Sequence, residues 1–171
     1  MFKHCEAQSI NLNSFDTSNV TNMYSMFHGC EVQSIDLRSF DTRNVTNMQE
    51  MFRYCVTQYL DLSSFDISNV TDMHSMFHGC EVQSLDLSSF DTSKVTDMSY
   101  MFYKCKAQSI DLTSFNTSKV TDMDNMFYKC KSQIKVNDPK LKDQLQEDIG
   151  RWSVMFQEKC IVRKNTDVSN T

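Results

Sequence analysis

Six cysteines stand at positions 5, 30, 55, 80, 105 and 130, one every 25 residues. Two phenylalanine columns keep the same step, Phe15, Phe40, Phe65, Phe90 and Phe115, and Phe27, Phe52, Phe77, Phe102 and Phe127. Two methionine columns do so as well, Met23 to Met123 and Met26 to Met126. The unit reads C-x-x-Q-x-[IL]-[DN]-L-x-S-F-[DN]-x-x-x-V-T-[ND]-M-x-x-M-F-x-x, and its Gln recurs from Gln8 to Gln133. So strict a period predicts a solenoid, because a unit this short must bury its apolar face against copies of itself.

Each unit holds two local periods. In Ser34 to Phe40 the residues alternate, with Ile35 and Leu37 facing one way and Ser34, Asp36 and Arg38 the other. That is the pattern of a short, half-buried strand. From Asn44 to Cys55 the period lengthens: Val45, Met48, Met51, Phe52 and Cys55 form the apolar stripe of a short helix. Asp41, Asn44 or Thr46 can cap its start. One strand and one short helix per unit predict an α/β solenoid of leucine-rich-repeat type. It is a right-handed superhelix with a parallel sheet on one face, short helices on the other and a C-terminal helical cap. Five rungs at about 4.8 Å give a sheet roughly 24 Å wide.

The run "FDTSNVTNMYSMFHGC" (Phe15 to Cys30) resembles the repeat of the BspA-like leucine-rich-repeat surface proteins, where [FW]-D-x-S-x-V-T-[DN]-M-x-x-M-F-x-x-C recurs. The resemblance covers Met1 to about Ser132. It implies a place on a bacterial, mycoplasmal or protist cell surface, or secretion, and a role in adhesion or host contact. Two departures stand out. The link after Cys is shorter here and carries Gln at its third position, and the unit length never varies. "SMFHGCEVQSIDL" (Ser25 to Leu37) and "SMFHGCEVQSLDL" (Ser75 to Leu87) differ at one position, which points to duplication of two-repeat blocks.

The repeat opens mid-unit, since Met1, Phe2 and Cys5 are in phase with Met26, Phe27 and Cys30. That reads as a piece of a longer protein, so the lack of a signal peptide says little about compartment, and a cytoplasmic location stays open. Residues 1–132 form the repeat solenoid. Residues 133–162 form a degenerate last repeat and helical cap, with Asp138 as N-cap, Pro139 at the helix start and Gly150 as its stop. "WSVMFQEKC" (Trp152 to Cys160) echoes the repeat. Residues 163–171 form a flexible tail.

The net charge of −5 comes with no Lys/Arg cluster. This argues against nucleic-acid and anionic-membrane partners. No apolar run reaches the roughly 18 to 20 residues of a membrane span. The in-phase cysteines suggest neither disulfides nor zinc. Stacked copies about 4.8 Å apart have parallel Cβ vectors, unlike a disulfide, and a line of thiols does not converge on a metal. They read as a buried ladder of small apolar groups. His4, His28, His74 and His78 read as surface residues. No cofactor is implied, and no unique constellation of nucleophile, base or acid pair appears, so the chain reads as non-enzymatic.

The outward strand positions carry the functional expectation. Asp36, Asp61, Asp86 and Asp111 form a column of like charges whose neighbours repel by about 1 kcal/mol in water. Hydroxyls, Arg38, a cation or a cationic partner could offset this. Tyr59 and Arg38 interrupt the face, and both types are enriched in binding hot spots. The column Asp16, Asp41, Asp66, Asp91 and Asn116 reads as turn chemistry. The expected function is therefore a monomeric protein- or glycan-binding repeat domain using Asp36, Arg38, Tyr59, Asp61, Asp86 and Asp111. The alternative is a structural spacer, or an intracellular scaffold repeat with no ligand of its own.

Overall fold

The computed structural model describes residues 2–156, with side chains through Ser153. Residues 157–171, including Cys160 and the expected tail, lie outside that range. Five short strands, β1 (Ser34–Ile35), β2 (Tyr59–Leu60), β3 (Ser84–Asp86), β4 (Ser109–Leu112) and β5 (Gln133–Val136), precede one helix, α1 (Pro139–Phe156). The architecture is mixed α/β. β1 pairs with β2, and β3, β4 and β5 pair in that order, all parallel. The register follows the repeat: Ser34 faces Tyr59 and Ser84 faces Ser109, each 25 residues on. At the last step Ser109 faces Gln133, 24 residues on, because "QSIDL" in the preceding unit has become "QIKV".

Two further parallel lines of bridges join successive units. One runs Asn22, Asn47, Asp72, Asp97 and Asp122, and the other Glu31, Val56 and Glu81. Each unit is thus bound to the next at several places around its circuit.

The expected short helices do not form. Between Met48 and Cys55 the N–H groups alternate in their targets. Those of Met48, Glu50, Phe52 and Tyr54 donate to Asp72, His74, Met76 and His78 of the next unit, at 2.8–3.0 Å. Those of Met51, Arg53 and Cys55 close local turns on Met48, Glu50 and Phe52. A helix would direct every N–H four residues back along its own chain. Here each unit meets an identical neighbour, and half of those donors bond across to it instead. The alternation places two residues per unit in the left-handed region, such as Glu50 (φ 55°) and Tyr54 (φ 54°). Each such non-Gly residue costs roughly 1–2 kcal/mol. The bonds between units hold it there.

The apolar stripe was legible even so, since Val45, Met48, Met51, Phe52 and Cys55 are all fully buried. Phe2, Phe27, Phe52, Phe77, Phe102 and Phe127 stack through the centre at 5.5–5.8 Å with nearly parallel rings. Cys30, Cys55, Cys80, Cys105 and Cys130 are buried and free. Burial pushes the Cys30 thiol up to about 11 and Cys55 to about 12.

Few glycines and prolines are needed because Asp and Asn make the turns. In three columns a side-chain oxygen accepts the N–H two residues on. Examples are Asp16 to Ser18 (2.9 Å), Asn22 to Tyr24 (2.8 Å) and Asp61 to Ser63 (3.0 Å). Buried threonines add a link between units: Thr42 Oγ1 donates to the Asp66 carbonyl and accepts the Asp66 N–H, both at 2.9 Å.

α1 covers the last unit. Asp138 caps it by accepting the Leu141 N–H at 3.1 Å, and also accepts from the Thr117 hydroxyl at 2.9 Å. Asp148 Oδ2 accepts the Phe127 N–H at 2.9 Å. In earlier units the matching N–H of Phe102 meets a backbone carbonyl, that of Met126. A carboxylate thus stands in for the unit that does not follow. Leu141, Leu145 and Trp152 pack beneath the helix. Gly150 does not stop α1, which runs on to Phe156, so Trp152–Phe156 continue the helix and do not repeat the stacked turns. Buried Trp152, two residues beyond the glycine, holds that last segment down. Among the described residues no helix is long and apolar enough to cross a membrane.

Candidate functional site

The strand face is built by alternation. Ile35, Leu85 and Ile110 point inward and are buried, while Ser34, Tyr59, Ser84 and Ser109 point out. Tyr59 is the most exposed large apolar residue among those described, at 59%.

The carboxylates on this face have local duties. Asp36 accepts from the Arg38 backbone N–H at 3.1 Å and from its guanidinium at 3.0 and 2.7 Å. These bonds hold its carboxyl down at about 2. Asp61 accepts the Ser63 N–H, and Asp86 the N–H and hydroxyl of Ser88 at 3.0 and 2.6 Å. Asp111 does the same with Thr113 (3.1 and 2.7 Å) and meets Lys135 Nζ at 3.3 Å. Hydrogen bonds from these neighbours lower all three carboxyls. The column is therefore first a line of turn residues. Its mutual repulsion is relieved by Arg38 at one end and Lys135 at the other.

The structure brings Asp36 and Arg38 into direct contact and sets Asp86 beside Asp111 in register. Tyr59 lies opposite Ser34, two residues before Asp61. Over β3, β4 and β5 the face opens into a groove of about 470 Å³, lined by Ser84, Asp86, Ser88, Ser109, Asp111, Gln133 and Lys135 above Leu85, Ile110 and Ile134. Among the described residues no three His, Cys, Asp or Glu side chains are grouped to hold a metal ion.

On the turn face His4 is exposed as expected, His28 and His74 are half-buried, and His78 departs from the expectation. His78 is only 7% exposed. It lies between the rings of Tyr54 (4.9 Å) and Tyr103 (4.7 Å), and its Nε2 meets the Tyr54 hydroxyl at 3.0 Å. Burial pushes its pKa down to about 4. His28 is half-buried and reaches Glu50 at 3.1 Å. These rings belong to one column, His4, His28, Tyr54, His78, Tyr103 and Tyr128, whose neighbours are 4.7–6.0 Å apart. A lone-residue reading of each histidine missed it. The signal was the alternation of "HG" (His28, Gly29; His78, Gly79) with "RY" (Arg53, Tyr54), since the aromatic ring of one unit lies over the glycine of the next.

No curated protein and no solved structure matches the chain. One family model does, over residues 1–84, 33–138 and 56–167. The three matches overlap along the chain. The chain belongs to the repeat family described as a Mycoplasma protein of unknown function, DUF285.

Proposed function

We propose that this chain is a non-catalytic binding domain, a right-handed leucine-rich-repeat-type solenoid of the BspA-like kind. It presents its strand face to a protein or glycan ligand at a cell surface. The observation that carries the reading is the open groove over β3–β5, together with the exposed ring of Tyr59 at the same repeat position on β2. A flat aromatic ring among hydroxyls and carboxylates is the composition expected of a contact surface.

The test must respect the turns. Asp61→Lys and Asp86→Lys would remove the acceptors of the Ser63 and Ser88 N–H groups together with the charges. Asp→Asn keeps the acceptor, as Asn11 does for Asn13 in the first unit. The purified chain is passed over immobilised extracellular-matrix proteins and a glycan array, with and without calcium, beside an Asp61→Asn, Asp86→Asn, Tyr59→Ala variant. Saturable capture lost in the variant supports the strand face. Capture that the variant retains removes it. The spacer reading is favoured by one fact, that every carboxylate of the column already serves a turn, and it predicts no capture under any condition.

A further inference from the structure

The polar residues that recur in every unit divide by whether the fold uses them. The Asp and Asn columns close turns, the Thr columns bridge units, and serines such as Ser39 and Ser114 bond the carbonyls of the preceding unit. Glutamine is the exception. Gln8, Gln33, Gln58, Gln83 and Gln108 occupy one position in five successive units, and all five side chains are exposed. None of their amides makes a side-chain hydrogen bond among the described residues, although their backbones are laddered, Gln58 N–H to Gln33 O (3.1 Å) and Gln108 N–H to Gln83 O (2.9 Å). The residue two before Gln varies more, running Glu6, Glu31, Val56, Glu81 and Lys106, while the one after it is Ser in four units and Tyr59 in the third.

The column also borders two shallow, open depressions. One trough of about 480 Å³ is lined by Gln8 and Gln33 with Glu6, Glu31 and Val56. A second of about 350 Å³ is lined by Gln58, Gln83 and Gln108 with Glu81 and Lys106. The single residue missing after Gln133 then sets it opposite Ser109 and into the groove of the strand face. A row of amides about 4.8 Å apart thus runs for roughly 19 Å across the units.

We propose that this glutamine row, with the Tyr59 ring beside it, recognises a linear neutral polysaccharide lying along the stack of units. The proposal rests on the binding-domain reading above and narrows its ligand. An amide both donates and accepts, which is what a sugar hydroxyl requires of its partner. Charge along the troughs changes sign, from Glu6 and Glu31 to Lys106, with Glu81 and Lys106 paired to each other. A uniformly charged polymer would be repelled at one end. Tyr59 and the 40%-exposed Val56 supply apolar surface for the C–H faces of sugar rings. An extended peptide would instead seek a free sheet edge, and along this row backbone bonds already join Gln33 to Gln58, Gln83 to Gln108 and Gln108 to Gln133.

The whole chain is tested on an array of linear neutral hexasaccharides: β-1,4-glucan, β-1,4-linked N-acetylglucosamine and α-1,6-glucan. Gln33→Ala, Gln58→Ala, Gln83→Ala is compared with Asp61→Asn, Asp86→Asn. Because the three glutamines are exposed and unbonded, the triple variant should melt with the parent, and a Gln→Met triple, which keeps the side-chain length without the amide, provides a second uncharged form. The expected result is binding of at least one hexasaccharide, weakened at least tenfold in both glutamine triples. Binding kept within twofold in both overturns the proposal and leaves the strand-face reading standing. Capture of a matrix protein with no hexasaccharide bound also overturns it alone. No capture of any kind overturns both.

Discussion

Gly79 tests how neighbouring units lock together. It sits at φ +63°, and a Cβ built there would lie 2.5 and 2.6 Å from Cδ1 and Cε1 of the Tyr54 ring in the preceding unit. Gly79→Ala therefore carries two penalties. The left-handed backbone costs roughly 1 kcal/mol for a residue with a Cβ. Forcing the ring aside costs roughly 1–3 kcal/mol more, as overpacking does. The ring is held by the hydrogen bond to His78 and by its edge contact with that imidazole. Tyr54→Ala alone forfeits those contacts, about 1–2 kcal/mol. In the double variant the clash has no partner, and only the backbone penalty is added to the loss of Tyr54. The cycle should thus show coupling of about 1–3 kcal/mol, the clash removed, with the double variant more stable than the sum of the singles. Urea denaturation followed by far-ultraviolet circular dichroism measures each corner. Additivity within about 0.5 kcal/mol would refute the interlock, because it would mean that the ring does not occupy the space the glycine leaves. The same cycle at Gly29 and His4, whose ring Nδ1 would meet the built Cβ, should give coupling of the same sign.

Stability should fall in acid through His78. Its folded pKa is depressed to about 4, so the unfolded chain takes up the proton first, and stability present above the ordinary value near 6.5 is lost as the pH falls towards 4. The loss is on the order of 3 kcal/mol, and His78→Gln should flatten that part of the urea midpoint profile. Asp148 acts with the opposite sign, since burial raises its carboxyl and its ionisation above the ordinary value of 3.8 opposes folding. Asp148→Ala strands the buried Phe127 N–H and should cost roughly 1–3 kcal/mol, more than Asp148→Asn, which keeps an acceptor; fluorescence of Trp152 in the same helix reports it. Iodoacetamide on the native chain should spare Cys30, Cys55, Cys80, Cys105 and Cys130 while modifying half-buried Cys5, as read by peptide mass spectrometry. Labelling of the five before unfolding would contradict the buried ladder.

Side-chain direction was legible because the repeat states it five times. Ile35 and Leu37 inward, Ser34 outward, and the burial of Met48, Met51 and Phe52 follow from alternation and spacing alone. The backbone of the second segment was not legible. An apolar stripe at Val45, Met48, Met51, Phe52 and Cys55 fits a helix, and it fits equally a run of turns that buries the same residues. What separates the two is where the N–H groups of Met48, Glu50, Phe52 and Tyr54 go. That depends on a neighbour 25 residues away, which no local pattern contains. Gly150 misled for the related reason that a buried Trp152 beyond it outweighs the weak helix-breaking tendency of a single glycine.

At the candidate site the sequence marked the face but not the division of labour on it. Asp36, Asp61, Asp86 and Asp111 drew attention as a repeated charge, and the structure assigns each to an Asx turn. Repetition by itself therefore cannot mark function in such a chain, since a residue recurs wherever the fold needs it in every unit. The discriminating quantity is repetition left over after the hydrogen bonds of the fold are assigned. Asp41 and Thr42 leave none, because their oxygens meet Arg43 and Asp66. The amides of Gln33, Gln58 and Gln83 leave all of theirs, on a trough and in the open. That remainder sets the glutamine row apart from the columns whose polar atoms serve only to stack the units.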